Sequence, residues 1–199
     1  MKKETPIKAA SIHPINTIRP ISPIMYLKSN DLFASSRPES LYSSIPRPIV
    51  LADSLITPDN MGSMIRLADN IGASEMIFLG SEPINSLSRV RKCAASSKDN
   101  IKWHFTEEND LRKLIPANKK IVAIETATNA TNIYETALPA DAAFIVGNES
   151  HGIREEILSQ CDLIVYIPIP GPTRSLNVSH AASVALFEWY RQHFKLLNS

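Results

Sequence analysis

Three short runs of this chain set polar side chains beside glycine or proline turns, an arrangement from which small-molecule sites are built. In VYIPIPGPTRSLNVSHAASVALFEWYRQ, residues 165–192, an apolar strand over 163–167 breaks at Pro168, Pro170, Gly171 and Pro172 and runs from Ser175 into a long helix. Prolines and a glycine give such a turn a fixed, non-helical path. Ser175 and Asn177 both carry oxygens that can accept orphan helix N–H groups. Val178, Ala181, Ala182, Ala185, Leu186 and Trp189 recur behind them near helical spacing. A strand, a stiff turn and a polar helix start can hold a small molecule, although spacing alone fits a plain strand-to-helix connection at least as well. In FIVGNESHGI, residues 144–153, Gly147 allows close backbone approach and Gly152 a tight turn, with Glu149 between them; by itself this is an ordinary structural turn. In NMGSMIRLADNIGA, residues 60–73, Asn60 and Arg66 lie six residues apart, on roughly opposing helix faces. The residues alone are satisfied by a capping Asn60 and a solvated Arg66.

The elements that must position these runs alternate. Strands are expected at 48–52, 75–79, around 103–105, at 120–125, 142–146 and 163–167, with helices at 60–71, 107–115, 153–160 and from 175 onward. That order predicts a mainly parallel sheet flanked by helices. In such sheets ligands gather outside the carboxyl ends of strands, which makes the loop 126–130 a candidate wall. Residues 85–102 carry Arg89, Arg91, Lys92, Lys98 and Lys102 among small side chains, a pattern that suits RNA phosphates or an ordinary solvated surface equally. Trp103 can stack on a base, but core packing is its commoner role.

Composition bounds the function. The chain has 199 residues, 44% of them hydrophobic, enough for a substantial core. A net charge of +1 neither demands nor excludes nucleic acid. Cys93 and Cys161 are the two cysteines, without metal-ligand spacing, so neither zinc nor a disulfide framework is expected. No apolar run is long enough to cross a bilayer, and a cytoplasmic location is expected. Residues 1–47 are rich in proline, serine, lysine and arginine and are expected to form a basic arm ahead of a body at 48–199. A short amphipathic piece at 24–33 is expected to dock on that body. The arm suits either RNA contact or a loosely held tail. A dinucleotide oxidoreductase is excluded, since LADSLITPDNMG after the first strand lacks G-x-G-x-x-G.

Taken together and in order, NMGSMIRLADNIGA, FIVGNESHGI and IPIPGPTRSLNVSHA resemble the three motifs of the SpoU (TrmH-like) RNA ribose methyltransferases of the SPOUT superfamily. The resemblance implies a C-terminal deep trefoil knot and a homodimer with active-site residues drawn from both chains. It also implies S-adenosylmethionine as methyl donor, a ribose 2′-hydroxyl in RNA as acceptor, and no metal. Carried onto this sequence, it places Arg66, Asn60, Glu149, Ser175 and Asn177 in the catalytic set, with Glu149, Ser175 and Asn177 orienting Arg66 and the ribose. Gly147, Ile167 and Leu176 would hold the donor through backbone contacts, with Thr126 beside them. Ile169 stands where the family commonly has methionine, and Arg174 makes the turn more basic. VAIETATNATNIYE resembles the TrmH-like branch, which favours tRNA slightly over rRNA. The alternative is a non-catalytic RNA-binding or assembly protein of the same fold.

Overall fold

A computed structural model describes residues 42–197, with side chains described for 42–193. Most of the expected arm, including the piece at 24–33, lies outside the described residues. Among the described residues the chain runs β1 (Ile49–Asp53), α1 (Pro58–Asn70), β2 (Glu75–Leu79), α2 (Leu87–Ala94), α3 (Ser97–Asn100), β3 (Lys102–Thr106), α4 (Leu111–Leu114), β4 (Lys120–Ile124), β5 (Thr131–Asn132), β6 (Ala142–Val146), α5 (Glu155–Leu158), β7 (Leu163–Tyr166) and α6 (Val178–Leu197). The strands form one seven-stranded sheet in the order β3-β2-β1-β6-β4-β7-β5. Every pairing in it is parallel.

Strand periodicity divides the core in two. Val50, Ala52, Met76, Phe78, Val122, Ile124, Phe144 and Val146 face the side covered by α1, α2 and α6. Their neighbours Ile49, Leu51, Ile77, Leu79, Ile121, Ala123, Ala143 and Ile145 face α4 and α5. Both faces are therefore buried, as a parallel sheet requires, which explains why β1 and β6 read as unbroken apolar runs.

Three helices are shorter than their sequence pattern suggests. The segment expected as helix over 107–115 forms only α4, because local side-chain bonds take its first N–H groups. Glu108 N donates to Thr106 Oγ1 at 3.2 Å and Asp110 N to Glu108 Oε1 at 2.9 Å. Asp110 then caps the helix by accepting from Arg112 N. Likewise α5 begins at Glu155, after Ile153 N and Arg154 N have been claimed by carboxylates elsewhere. The last helix begins at Val178 and not at Ser175. Its cap is Asn177, whose Oδ1 accepts from Ser179 N at 2.9 Å. In α1, Asn60 is an interior helical residue, not a cap.

Residues 42–47 already belong to the body. The Tyr42 hydroxyl donates to the carbonyl of Ile71, and Arg47 Nη1 donates to the carbonyl of Gly72 at 2.8 Å. Arg47 also lies over the Tyr42 ring. Burial, partly offset by Arg47, pushes the Tyr42 phenol up to about 12. Gly72, at φ +70, makes this junction possible, since a Cβ there would press on the Tyr42 ring at 2.8 Å.

Candidate active site

A cleft of about 300 Å³ opens where Ile124, Val146 and Tyr166 end their strands, at the carboxyl edge of β4, β6 and β7. All four residues expected to hold the donor (Thr126, Gly147, Ile167 and Leu176) line it, together with Glu149, Ser175 and Asn177. Its size suits a small molecule. Gly147 is required by space: a Cβ there would fall 2.1 Å from the carbonyl carbon of Gly152. Asn148 and Gly152 close the turn with reciprocal backbone bonds of 2.9 and 3.0 Å. This turn therefore offers backbone, not side chains, to whatever the cleft holds.

One hydrogen-bonded chain ties the three runs together. Asn60 Nδ2 donates to Glu149 Oε1 at 2.8 Å, and Asn60 Oδ1 accepts from Asn177 Nδ2 at 2.9 Å. Glu149 also accepts from Thr57 N at 3.1 Å and Ile56 N at 3.3 Å. Burial alone would raise the Glu149 carboxyl, but the bonds from Asn60 and from backbone N–H groups outweigh it and hold it below its ordinary value. Asn60 is thus a buried bridge between the α1 start, the 147–152 turn and the α6 cap. Ser175 is exposed at the cleft mouth.

Arg66 stands apart. It is exposed, lies outside the cleft lining, and makes no hydrogen bond or ion pair with Glu149, Ser175 or Asn177. It lines a second groove between α1 and α2 with Asp59, Ser88, Arg89, Lys92 and Cys93. Helix geometry explains the split. Asp59 and Arg66 are seven residues apart, two turns along one face, whereas Asn60 points to the sheet side. Within one chain, then, Glu149 and Asn177 bond Asn60 and not Arg66.

Other polar residues at the strand ends were not singled out from sequence. Asp53 is fully buried at the end of β1 and accepts from Arg154 N and Arg154 Nε, both at 2.9 Å. Glu125, at the end of β4, accepts from Thr126 N at 2.8 Å and Ile153 N at 2.9 Å. Asn148 Nδ2 donates to the carbonyl of Ser54 at 2.5 Å, holding a non-glycine residue at φ 53. The available signal was positional: each acid follows directly on an apolar strand, where a carboxylate can meet the N–H groups of neighbouring turns. His151 is exposed, and Trp103 packs edge-on to Phe105 with its Nε1 bonded to the Lys98 carbonyl. No cluster of His, Cys, Asp and Glu that could hold a metal occurs among the described residues.

The sequence and fold have counterparts among known proteins. A model of the SpoU rRNA methylase family matches residues 47–187. The chain is 31% identical over 169 residues to the 23S rRNA (guanosine-2′-O-)-methyltransferase RlmB of Haemophilus influenzae, covering 83% of this chain and 66% of that protein. Against the protein of the same name from a Burkholderia species the identity is 33% over 163 residues, covering 80% and 66%. The structure of an AdoMet-bound rRNA methyltransferase from Sinorhizobium meliloti superposes with a TM-score of 0.65 at 27% identity, over 74% of this chain and 57% of that one. The chain thus spans a little under two thirds of the length of these relatives.

Proposed function

Because the chain belongs to the SpoU rRNA methylase family, we propose that it is an S-adenosylmethionine-dependent RNA methyltransferase acting on a ribose 2′-hydroxyl. The observation that carries this reading is the cleft at the strand ends, whose walls are the 147–152 and 167–177 turns joined through Asn60. When bound, S-adenosylmethionine would supply a methyl group on a positively charged sulfonium, the S–CH3 bond breaking as the O–CH3 bond forms, with S-adenosylhomocysteine as the leaving group and the hydroxyl proton passing to solvent. The cleft fits such a donor because Gly147 leaves its backbone uncovered, while Ile167, Leu176 and Thr126 complete the walls.

The remaining work belongs to polar side chains. A ribose hydroxyl is a weak nucleophile and must be positioned and its developing charge stabilised. Arginine keeps its proton, so Arg66 serves best as a phosphate clamp and electrostatic partner of the forming alkoxide. Since Arg66 lies outside the cleft of its own chain, in this reading it reaches the cleft of a second copy in a homodimer. Ser175 at the mouth contacts the ribose, and Glu149, Asn60 and Asn177 keep the walls in register. The scheme uses no metal, and it places the protein with RNA in the cytoplasm.

Ribosomal RNA is the substrate class we favour. The sequence leans towards tRNA through residues 122–135, but the curated relatives cited above are named for 23S rRNA. The test is methyl transfer from labelled S-adenosylmethionine to rRNA and, separately, tRNA, with digestion to 2′-O-methylnucleosides. Wild type is expected to label rRNA. Arg66→Ala should lose about 10²–10³-fold, the scale of removing a group that stabilises developing charge, with donor affinity unchanged. Label on tRNA alone would reverse the substrate assignment. Donor binding without transfer to either RNA would favour a non-catalytic RNA-binding member of the family.

A further inference from the structure

The groove between α1 and α2 carries positive charge with no partner among the described residues. The two helices meet closely at Gly62, where a Cβ would fall 2.4 Å from the Cys93 Cβ. Beside that contact Arg66 from α1 and Ser88, Arg89 and Lys92 from α2 line an open groove of about 760 Å³. The single carboxylate in the lining, Asp59, is fully engaged. Its oxygens accept from Arg89 Nε at 2.7 Å, Arg89 Nη2 at 2.5 Å and Cys93 Sγ at 3.0 Å. Arg89 is thereby neutralised and held. Arg66 and Lys92 have no hydrogen bond or ion pair among the described residues, and two positive charges face the groove without compensation. Arg91, one position from Lys92, turns away and lies over the Trp103 ring at 5.4 Å. The exposed Ala95, at φ 53, also lines the groove.

We propose that this groove is a subsite for the RNA backbone, with Lys92 and Arg66 contacting phosphates that flank the methylated nucleotide and Ser88 adding a neutral hydrogen bond. The inference rests on the RNA methyltransferase reading above. It extends that reading to Lys92 and Ser88, which lie outside the three motifs. The groove exceeds one phosphate ion by a wide margin, which fits a strand better than a free anion. Its lining has no aromatic side chain on which a base could stack. The contacts therefore position the strand without reading its sequence. Arg89 is fixed by Asp59 and acts as a rigid wall, not as a free contact.

The experiment is salt-dependent binding of a short fluorescein-labelled single-stranded RNA of mixed sequence, in the presence of S-adenosylmethionine. Each phosphate neutralised on a single strand contributes about 0.7 to the slope of log affinity against log salt. Lys92→Ala should lower that slope by about 0.7, Lys92→Arg should restore it, and Ser88→Ala should weaken binding with the slope intact. Lys113→Ala, on α4 and paired with Glu108, is the control and should change neither. Lys92 is exposed and unpaired, so its variants fold, and donor affinity should stay at the wild-type value. An unchanged slope in Lys92→Ala with normal wild-type binding would overturn the subsite alone. Loss of donor binding in Lys92→Ala would also overturn it, by making Lys92 part of the cleft's support. No RNA binding by wild type would remove the RNA reading itself, and the subsite with it.

Discussion

Two faces of the same helix do opposite things. On its sheet side α1 gives the buried Asn60 to a chain of hydrogen bonds that also holds the exposed Glu149 and Asn177. On its outer side it gives Arg66 to a groove where charge is left unspent. The first arrangement is positional. Its bonds are short-range and converge on Asn60, whose burial makes them costly to break because the Asn60 amide would be left without partners. The second is electrostatic. Exposed cations add little to folding, act over roughly a Debye length and are weakened by salt. Substitutions on the two faces should therefore separate folding and donor binding from RNA affinity.

The sharpest break is expected on the cleft side. In Gly147→Ala the new methyl would sit 2.1 Å from the Gly152 carbonyl carbon, and both the turn and the surface it shows to the donor must shift. Overpacking costs about 1–3 kcal/mol, and a clash with backbone belongs at the upper end. Donor affinity should fall about 100-fold, at about 1.4 kcal/mol per decade, measured by calorimetry with S-adenosylmethionine. Retained affinity would mean that the 147–152 turn does not face the donor.

Next in size is Arg154→Ala. It leaves the Asp53 carboxylate wholly buried with only Arg154 N and the Ser54 hydroxyl as donors. Breaking a buried pair costs about 3–5 kcal/mol. Arg154 itself is partly exposed, so a loss of about 2–3 kcal/mol in urea unfolding is expected. Asp53→Asn should cost less, since it removes the charge that needs a partner. The reverse order would place the strain in Arg154 and not in the acid.

The sheet was legible because strands buried on both faces read as short unbroken apolar runs, as in IVLAD and AAFIV, and the three motifs indicated which turns meet at its carboxyl edge. Helix ends were less so. The start of α6 moved from Ser175 to Val178 because two cap-competent residues stood in one turn and tertiary contact chose Asn177, which also reaches Asn60. The Asp53–Arg154 pair is 101 residues apart in sequence, and no local pattern announces it. The roles carried over for Arg66 and Asn60 came as one motif. Seven-residue spacing shows why they part: Arg66 shares a face with Asp59, and Asn60 does not.

Acid should dissolve one face and spare the other. Glu149 has its carboxyl held below the ordinary 4.5 by Asn60 and the Thr57 and Ile56 N–H groups, against the opposing effect of burial. A depressed folded value means that its stabilisation is complete above the unfolded value of about 4.5. It is lost as pH falls through the folded value. Glu149→Gln has no such titration and places an NH2 group among donors. Because Glu149 is exposed, the loss at neutral pH should be no more than about 1 kcal/mol, and the unfolding midpoint should converge on the wild-type midpoint as pH drops below 4.5. In the groove, the hydrogen bonds from Arg89 and then Cys93 lower the Asp59 carboxyl to about 2. That carboxyl bonds only solvent-accessible side chains and no backbone N–H, so its titration should leave stability nearly untouched, and Asp59→Asn should show the wild-type pH profile down to pH 3, roughly one unit above its titration. A wild-type profile for Glu149→Gln as well would mean that the cleft wall is held by packing alone, and the division between the two faces of α1 would fail.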